Sequence, residues 1–169
     1  MTRPRALAAL AYVWAFAGCG AASAADTLPT ETHKVLTSNL AIEAAQAAIA
    51  ACEAQGYKMT ATVVDRIGAL KVVLVGDGAG RLGPEITRRK AYTAATLRVS
   101  TGDFAKRVAT PGAFNPGVFD AQLTTAQGGV PIKVGDDTIG AIGLGGAPGG
   151  DKDEACANAG IAKISDRLK

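Results

Sequence analysis

Few side chains in this 169-residue sequence could carry out catalysis or hold a metal ion. The chain has one histidine, His33, so a metal site built from several imidazoles is excluded. Neither a His-Glu-x-x-His motif nor a Cys-x-x-Cys motif occurs. A serine hydrolase would have to recruit His33 from a polar leader segment, and no other feature indicates hydrolysis. The residue types therefore favour ligand binding over acid–base catalysis.

The candidates for binding chemistry are an imidazole, a phenol and a group of cations. His33 is the strongest donor for one coordination position of a cofactor metal, and Tyr92 is a weaker one. Three consecutive cations, Arg88, Arg89 and Lys90, could pair with the carboxylates of a ligand. A solvated helix face is the alternative explanation for these cations.

The glycine-rich stretch at residues 143–150 follows a predicted strand and precedes a predicted helix. A helix N-terminus at such a place can hold an anion. Asp151 and Asp153, however, put negative charge where a phosphate would lie. We therefore predict a flexible strand-to-helix connection at this position rather than a phosphate site.

The N-terminal residues 1–24 have the order of a secretory signal peptide. Two arginines come first, a short apolar run follows at residues 6–17, and small residues end the segment. The sequence Ala-Ser-Ala at residues 22–24 predicts cleavage after Ala24 and a periplasmic or secreted protein. Residues 16–19 also resemble a lipobox, in which Cys19 would be lipidated and would attach the protein to a membrane.

Charge and cysteine content agree with an exported single domain. Loss of the two N-terminal arginines would lower the formal net charge of +3 towards neutrality, so nucleic acid is not an expected partner. Cys52 and Cys156 would remain, and an even pair in an oxidising compartment predicts a disulfide. Two buried thiols are the alternative.

Hydrophobic periodicity and turn residues predict helices at both ends and in the middle of the chain, with strands in hairpins between them. Ser38 or Asn39 is expected to cap the first helix. The short links between paired strands cannot hold crossover helices, so a largely antiparallel sheet with helices on its faces is expected. The predicted helices are residues 38–54, 84–97, 102–108 and 151–168, and the predicted strands are residues 60–64, 70–75, 122–125, 130–134 and 138–144.

Four motifs resemble those of the GlcG/HbpS-like haem-binding family, and they occur in the family's order. Residues 63–70 are similar to its VVDxxGxL hairpin, and residues 89–94 to its RKAYTA helix. Residues 128–132 are similar to its GGVPI strand, and residues 139–143 to its IGAIG strand. The family also resembles the C-terminal domain of PduO-type proteins.

The resemblance implies an α+β, profilin-like fold of three layers, α/β/α, with a five-stranded, mainly antiparallel sheet. The domain would occupy residues 38–169, after the signal peptide and an extended leader at residues 25–37. The resemblance further implies haem as a cofactor of some members, a location outside the cytoplasm for exported ones, and assembly into homo-oligomers.

Haem ligation in the resembled family involves threonine in some members and histidine in others. Thr93 and Thr96 lie on the matched helix and Thr101 follows it, so these threonines join His33 and Tyr92 as candidate axial ligands. Arg88, Arg89 and Lys90 are the candidate partners of the haem propionates. No single ligand can be aligned with the family, so its identity stays open.

The leading functional hypothesis is an exported protein that binds haem for capture, buffering or sensing. One alternative is an enzyme that degrades haem or uses it in a peroxidase-like reaction. Another is an accessory protein that binds no haem and serves an exported dehydrogenase or a glycolate-utilisation system. The scarcity of acid–base residues favours binding.

Overall fold

The structure, a computed structural model, describes residues 32–169. The predicted signal peptide, the alternative lipidation site Cys19 and residues 25–31 of the leader lie outside the described residues. The helices are α1 (Ser38–Glu53), α2 (Gly83–Leu97), α3 (Thr101–Val108) and α4 (Gly150–Ile164), and the strands are β1 (Thr60–Asp65), β2 (Leu70–Val75), β3 (Gly129–Val134) and β4 (Asp137–Gly145).

The four strands form one antiparallel sheet in the order β2-β1-β4-β3. Both predicted hairpins, β1–β2 and β3–β4, are present. The two hairpins are joined by pairing of β1 with β4. Thr60 of β1 lies opposite Gly145 of β4, and Asp65 lies opposite Gly140. β1 and β4 are the inner strands, and this explains why both are almost continuously buried.

The prediction of a fifth strand at residues 122–125 is wrong for the described part of the chain, where the sheet has four strands. This segment instead lies along α2. The Arg89 guanidinium donates to the carbonyl oxygens of Ala121 and Leu123, and the Thr93 hydroxyl accepts the Thr124 amide at 2.9 Å. Because side chains of α2 form hydrogen bonds with these backbone groups, fewer of them are available to pair with a neighbouring strand.

Helices cover the two faces of the sheet, as the three-layer prediction requires. α1 and α4 pack together on the face that carries Val63, Ile142 and Leu144. α2 covers the opposite face, where its alanines pack against Val64 and Ala141. The observed fold is therefore a mixed α+β domain with helices on both sides of an antiparallel sheet.

Small residues let the layers approach closely. A Cβ atom on Gly160 of α4 would collide with the Ala44 carbonyl of α1, and one on Gly143 of β4 would collide with the Thr87 carbonyl of α2. Larger side chains at these positions would push the helices away from their supports, which explains the alanine-rich and glycine-rich composition of the contacts.

The predicted disulfide is confirmed. Cys52 near the end of α1 and Cys156 in α4 are bonded, with their Cα atoms 5.7 Å apart and a separation of 104 positions in sequence. The expected cap of α1 is shifted by one or two residues, because the Thr37 hydroxyl, rather than Ser38 or Asn39, accepts the Leu40 amide at 3.4 Å. Of the helices at residues 32–169, none has the length and apolar character needed to cross a bilayer.

Candidate functional site

A groove of about 300 Å³ lies beside the β1–β2 turn and contains the single histidine of the sequence. Its walls are mostly aliphatic, and two cations, Lys34 and Arg66, lie along it. We name it the His33 groove. It is lined by His33, Lys34, Val35, Leu36, Asp65, Arg66, Ile67 and Ile139.

Leu36 fixes the segment that carries His33. Residues 32–37 belong to no helix or strand, and within them Leu36 is 1% exposed. Leu36 lies over Gly140 of β4, on which a Cβ would lie 3.0 Å from Leu36 Cδ2. Gly140 therefore leaves the room in which Leu36 packs, and this anchor holds the preceding imidazole near the Asp65 end of β1.

Asp65 fixes the opposite wall of the groove. Its Oδ1 accepts the amides of Ile67 at 3.0 Å and Ala69 at 2.9 Å, and its own amide donates to the Ala69 carbonyl. Gly68 supplies the positive φ of 83° that this tight turn needs. The turn presents Arg66 and Ile67 outward, and Ile67 remains 71% exposed.

Tyr92 packs against the same turn from α2. A Cβ on Gly68 would lie 2.6 Å from the Tyr92 ring, so glycine at this position also makes room for the phenol. The Tyr92 hydroxyl donates to Asp120 Oδ2 at 2.7 Å. This hydrogen bond raises the pKa of Tyr92, while the Gln122 amide and then the Tyr92 hydroxyl lower the pKa of Asp120.

The three candidate threonines have different environments. Thr93 is buried, donates to the Arg89 carbonyl at 2.8 Å and accepts the Thr124 amide. Thr101 is buried and accepts the Gly129 amide at 2.9 Å. Thr96 is exposed on α2. None of the three is among the described residues that line the His33 groove.

The three consecutive cations also have different environments. Arg88 is on the surface, where it pairs with Glu85 at 3.1 Å and thereby lowers the pKa of that carboxyl. Arg89 holds the backbone of residues 121–123. Lys90 is only 4% exposed, and its Nζ lies 2.7 Å from Asp153 Oδ2 and 2.7 Å from the Leu144 carbonyl oxygen.

The Lys90–Asp153 pair borders a second cavity, of about 290 Å³, which we name the Lys90 cavity. Burial is the main reason why the pKa of Asp153 is raised, and the pairing with Lys90 offsets part of that effect. The cavity is lined by Gly80, Leu82, Gly83, Ile86, Lys90, Gly145, Gly146 and Asp153. Sequence reasoning treated Asp153 as a negative charge at the helix start that opposes a phosphate, and so missed this pair.

The two cavities lie at opposite ends of β1. The His33 groove is at the Asp65 end, and the Lys90 cavity is at the end where Thr60 faces Gly145. Six strand residues separate the ends by about 17 Å at 3.3 Å per residue. Among residues 32–169, no cluster of three or more metal-binding side chains occurs.

Comparison with known proteins identifies relatives with this fold. The sequence model of the family described as "Haem degrading protein HbpS-like" matches residues 36–162. The crystal structure of HbpS has 37% sequence identity and a TM-score of 0.72, with 79% of this chain and 92% of that chain covered. A double mutant of Streptomyces reticuli HbpS has 33% sequence identity and a TM-score of 0.72, with 94% of this chain and 97% of that chain covered.

A more distant structure shares the fold. The PduOC:haem complex has 22% identity and a TM-score of 0.70, with 78% of this chain and 96% of that chain covered. No curated protein matches the sequence significantly. The family match spans most of residues 32–169, including both hairpins, and the chain therefore belongs to the HbpS-like family.

Proposed function

We propose that this protein is an exported haem-binding protein and that the His33 groove is its haem site. The observation that carries the proposal is that the single imidazole of the sequence borders an aliphatic groove with a cation on each of its two walls. Haem needs an apolar contact surface, an axial donor and cations near its propionates, and this groove offers residues of all three kinds. Since about 300 Å³ holds only part of a porphyrin, the rest of the haem would lie outside the groove.

Six of the eight residues that line the groove have a role in this proposal. His33 supplies the axial nitrogen to the iron. Leu36 and Ile139 provide a firm aliphatic wall, and Ile67 covers the porphyrin from the turn. Lys34 and Arg66 pair with the propionate carboxylates. They suit this task better than Arg89 and Lys90, whose cationic groups already hold backbone and carboxylate groups of the fold.

Family membership supports haem as the ligand. The family description names haem degradation, and the PduOC structure, which shares the fold, is a haem complex. Threonine ligation is less well supported, because the buried Thr93 and Thr101 hydroxyls serve backbone amides. Thr96 and Tyr92 remain the alternative donors, together with the surface cation Arg88 as a propionate partner.

The test is a haemin titration followed at the Soret band, with His33→Ala compared with the parent chain. We expect a saturable band for the parent and a shifted band or at least tenfold weaker binding for His33→Ala. Lys106→Ala is the matched control, since Lys106 is an exposed cation of α3 outside the groove. A missing saturable band in the parent overturns haem binding. An unchanged His33→Ala titration overturns His33 as the ligand.

The scarcity of acid–base groups among the described residues of the groove favours binding over degradation. Asp65 is the one carboxylate among its described lining residues, and Oδ1 of that group already accepts two amides of the turn. The family description nevertheless makes degradation the second candidate. Incubation of the haem complex with oxygen and a reductant separates the two. Recovery of intact haem supports a binding protein, and loss of the Soret band with release of iron supports an enzyme.

Export is part of the proposal. The Cys52–Cys156 disulfide supports an oxidising compartment, because disulfides rarely persist in the cytosol. N-terminal sequencing of the protein purified from expressing bacteria should begin at Ala25. A lipid-modified N-terminus at Cys19 would overturn that cleavage site and support membrane attachment.

We also propose a homo-oligomer. β2 is an edge strand, and its Leu70, Val73 and Val75 are exposed aliphatic side chains on the α2 side of the sheet. A second copy would remove them from water. Light scattering coupled to size-exclusion chromatography tests this proposal, and a monomer at micromolar concentration would refute it.

A further inference from the structure

We infer that the Lys90 cavity is a binding site for a small aliphatic carboxylate. This site is separate from the proposed haem site, since the two cavities lie at opposite ends of β1. The inference therefore does not depend on haem binding. It rests on the buried charges at the cavity, on the glycines around it and on the helix that begins beside it.

The first argument is the unused donor capacity of Lys90. An ammonium group has three N–H donors. The structure gives Nζ two acceptors, the Leu144 carbonyl and Asp153 Oδ2, each at 2.7 Å. Although the side chain is almost entirely buried, it lines the cavity. A third acceptor within the cavity would complete its hydrogen bonding.

The second argument is the space left beside Nζ. A Cβ on Gly145 would lie 3.1 Å from Thr87 Cγ2, 3.8 Å from Nζ and 3.9 Å from Ile86 Cγ2. Glycine at this position therefore lets α2 pack closely against β4 and leaves the ammonium group and the Ile86 side chain open to the cavity that both line. Leu82 is 67% exposed and Ile86 is 41% exposed, so both offer aliphatic surface towards solvent. A ligand with a polar head at Lys90 and a short apolar tail along these two side chains fits this arrangement.

The third argument is the positive electrostatic character of the cavity once Asp153 is compensated. Asp153 is compensated by Lys90, by the Ala147 amide at 3.1 Å from Oδ1 and by its position in the first turn of α4. α2 begins at Gly83 without a side-chain cap, and Gly83 lines the cavity. The N-terminus of a helix carries partial positive charge, so it favours an anion here. A cationic ligand would instead meet this terminus and the ammonium group.

Size limits the ligand further. A cavity of about 290 Å³ lies at the lower end of the range for small-molecule sites, about 300–1,000 Å³. A carboxylate with a tail of a few carbons suits this volume. Butyrate is therefore the probe, butylamine is the probe of opposite charge, and butanamide is the neutral isostere.

The experiment follows the backbone amides of the isotope-labelled chain by NMR during titration. Butyrate should cause saturable shifts at Gly83, Ile86, Gly145 and Gly146, and butylamine should cause none there. Butanamide should bind at least tenfold more weakly than butyrate. The inference is overturned if butyrate shifts none of these amides, if all three probes shift them equally, or if the saturable shifts occur only around Lys34 and Arg66.

Two variants complete the test. Gly145→Ala places a methyl group 3.8 Å from Nζ and 3.1 Å from Thr87 Cγ2, and it should weaken butyrate binding at least tenfold in a variant that still folds. Leu82→Trp adds bulk at an exposed position of the cavity and should have a similar effect with little risk to folding. Val118→Trp is the matched control, because Val118 is 74% exposed and is not among the residues lining this cavity. Unchanged butyrate affinity in both Leu82→Trp and a folded Gly145→Ala would overturn the assignment.

Discussion

The Nζ of Lys90 in α2 lies 2.7 Å from Oδ2 of Asp153 in α4, and this buried ion pair joins helices on opposite faces of the sheet. Removal of one partner leaves the other charge buried without compensation, which costs about 3–5 kcal/mol. We therefore expect Lys90→Met to lower the free energy of unfolding by about that amount in urea denaturation. Asp153→Asn should lower it in the same direction.

The double variant Lys90→Met/Asp153→Leu is the informative companion. It removes both charges, so it should recover most of the stability that Lys90→Met loses. Lys106→Met is the matched control, since the Lys106–Asp103 pair is exposed and its loss should have no measurable effect. A single variant as stable as the parent chain would contradict a structural role for the buried pair.

The elements that depend on local pattern were predictable. Short β-rich and apolar runs joined by tight turns indicated both hairpins, and spacings of three and four indicated the helices. The pair of cysteines left after the predicted signal indicated the disulfide. Residues 122–125 were misread as a strand because the capture of this backbone by Arg89 and Thr93 depends on contacts about 30 positions away.

The sites were harder to predict because each joins distant segments. The His33 groove unites the leader with a turn that begins 32 residues later, and no local pattern encodes this contact. Lys90 and Asp153 lie 63 positions apart. One signal was nevertheless available, since Lys90 shares the helical face of Thr87, Ala91 and Ala94. A lysine on a stripe of small buried residues indicates a buried partner.

The Cys52–Cys156 disulfide should contribute strongly to stability. It closes a loop of about 100 residues, for which the chain-entropy relation gives up to about 4.7 kcal/mol, and measured values are commonly 2–4 kcal/mol. We expect the double variant Cys52→Ser/Cys156→Ser to lose about 3 kcal/mol in urea denaturation. Dithiothreitol should destabilise the parent chain and leave the serine variant unchanged. A parent chain indifferent to the reductant would contradict this prediction.

Thr60 and Thr62 lie on the same face of β1 but differ in hydrogen bonding. The Thr60 hydroxyl is buried and has no hydrogen-bond partner within residues 32–169. The Thr62 hydroxyl lies 2.7 Å from that of Thr87. Valine has nearly the shape of threonine, so Thr60→Val should raise the free energy of unfolding by about 1 kcal/mol.

Thr62→Val is the matched control for this prediction. It removes a satisfied hydroxyl from the same strand and should lower the free energy of unfolding by about 1 kcal/mol. Parallel urea denaturation of the two variants measures both effects. The prediction fails if both substitutions change stability in the same direction.

The hydrogen bond between Tyr92 and Asp120 should make the docking of residues 119–124 on α2 depend on pH at both extremes. The pKa of Asp120 is lowered from 3.8. The stabilisation of the folded state by this carboxylate is therefore fully present above pH 3.8, and it is lost as the pH falls through the lower pKa of the folded state. The pKa of Tyr92 is raised from 10.0. The stabilisation of the folded state by the protonated hydroxyl is therefore fully present below pH 10.0, and it is lost as the pH rises through the higher pKa of the folded state.

Tyr92→Phe isolates this effect, because it removes the hydroxyl and keeps the ring that packs against Gly68. The difference in free energy of unfolding between the parent chain and Tyr92→Phe should be constant between about pH 5 and 9. It should shrink below pH 3.8 and above pH 10.0. Urea denaturation across this range measures the difference. If it instead stayed constant over the whole range, the two side chains would not form a charge-assisted hydrogen bond, and residues 119–124 would be docked by Arg88, Arg89 and Thr93.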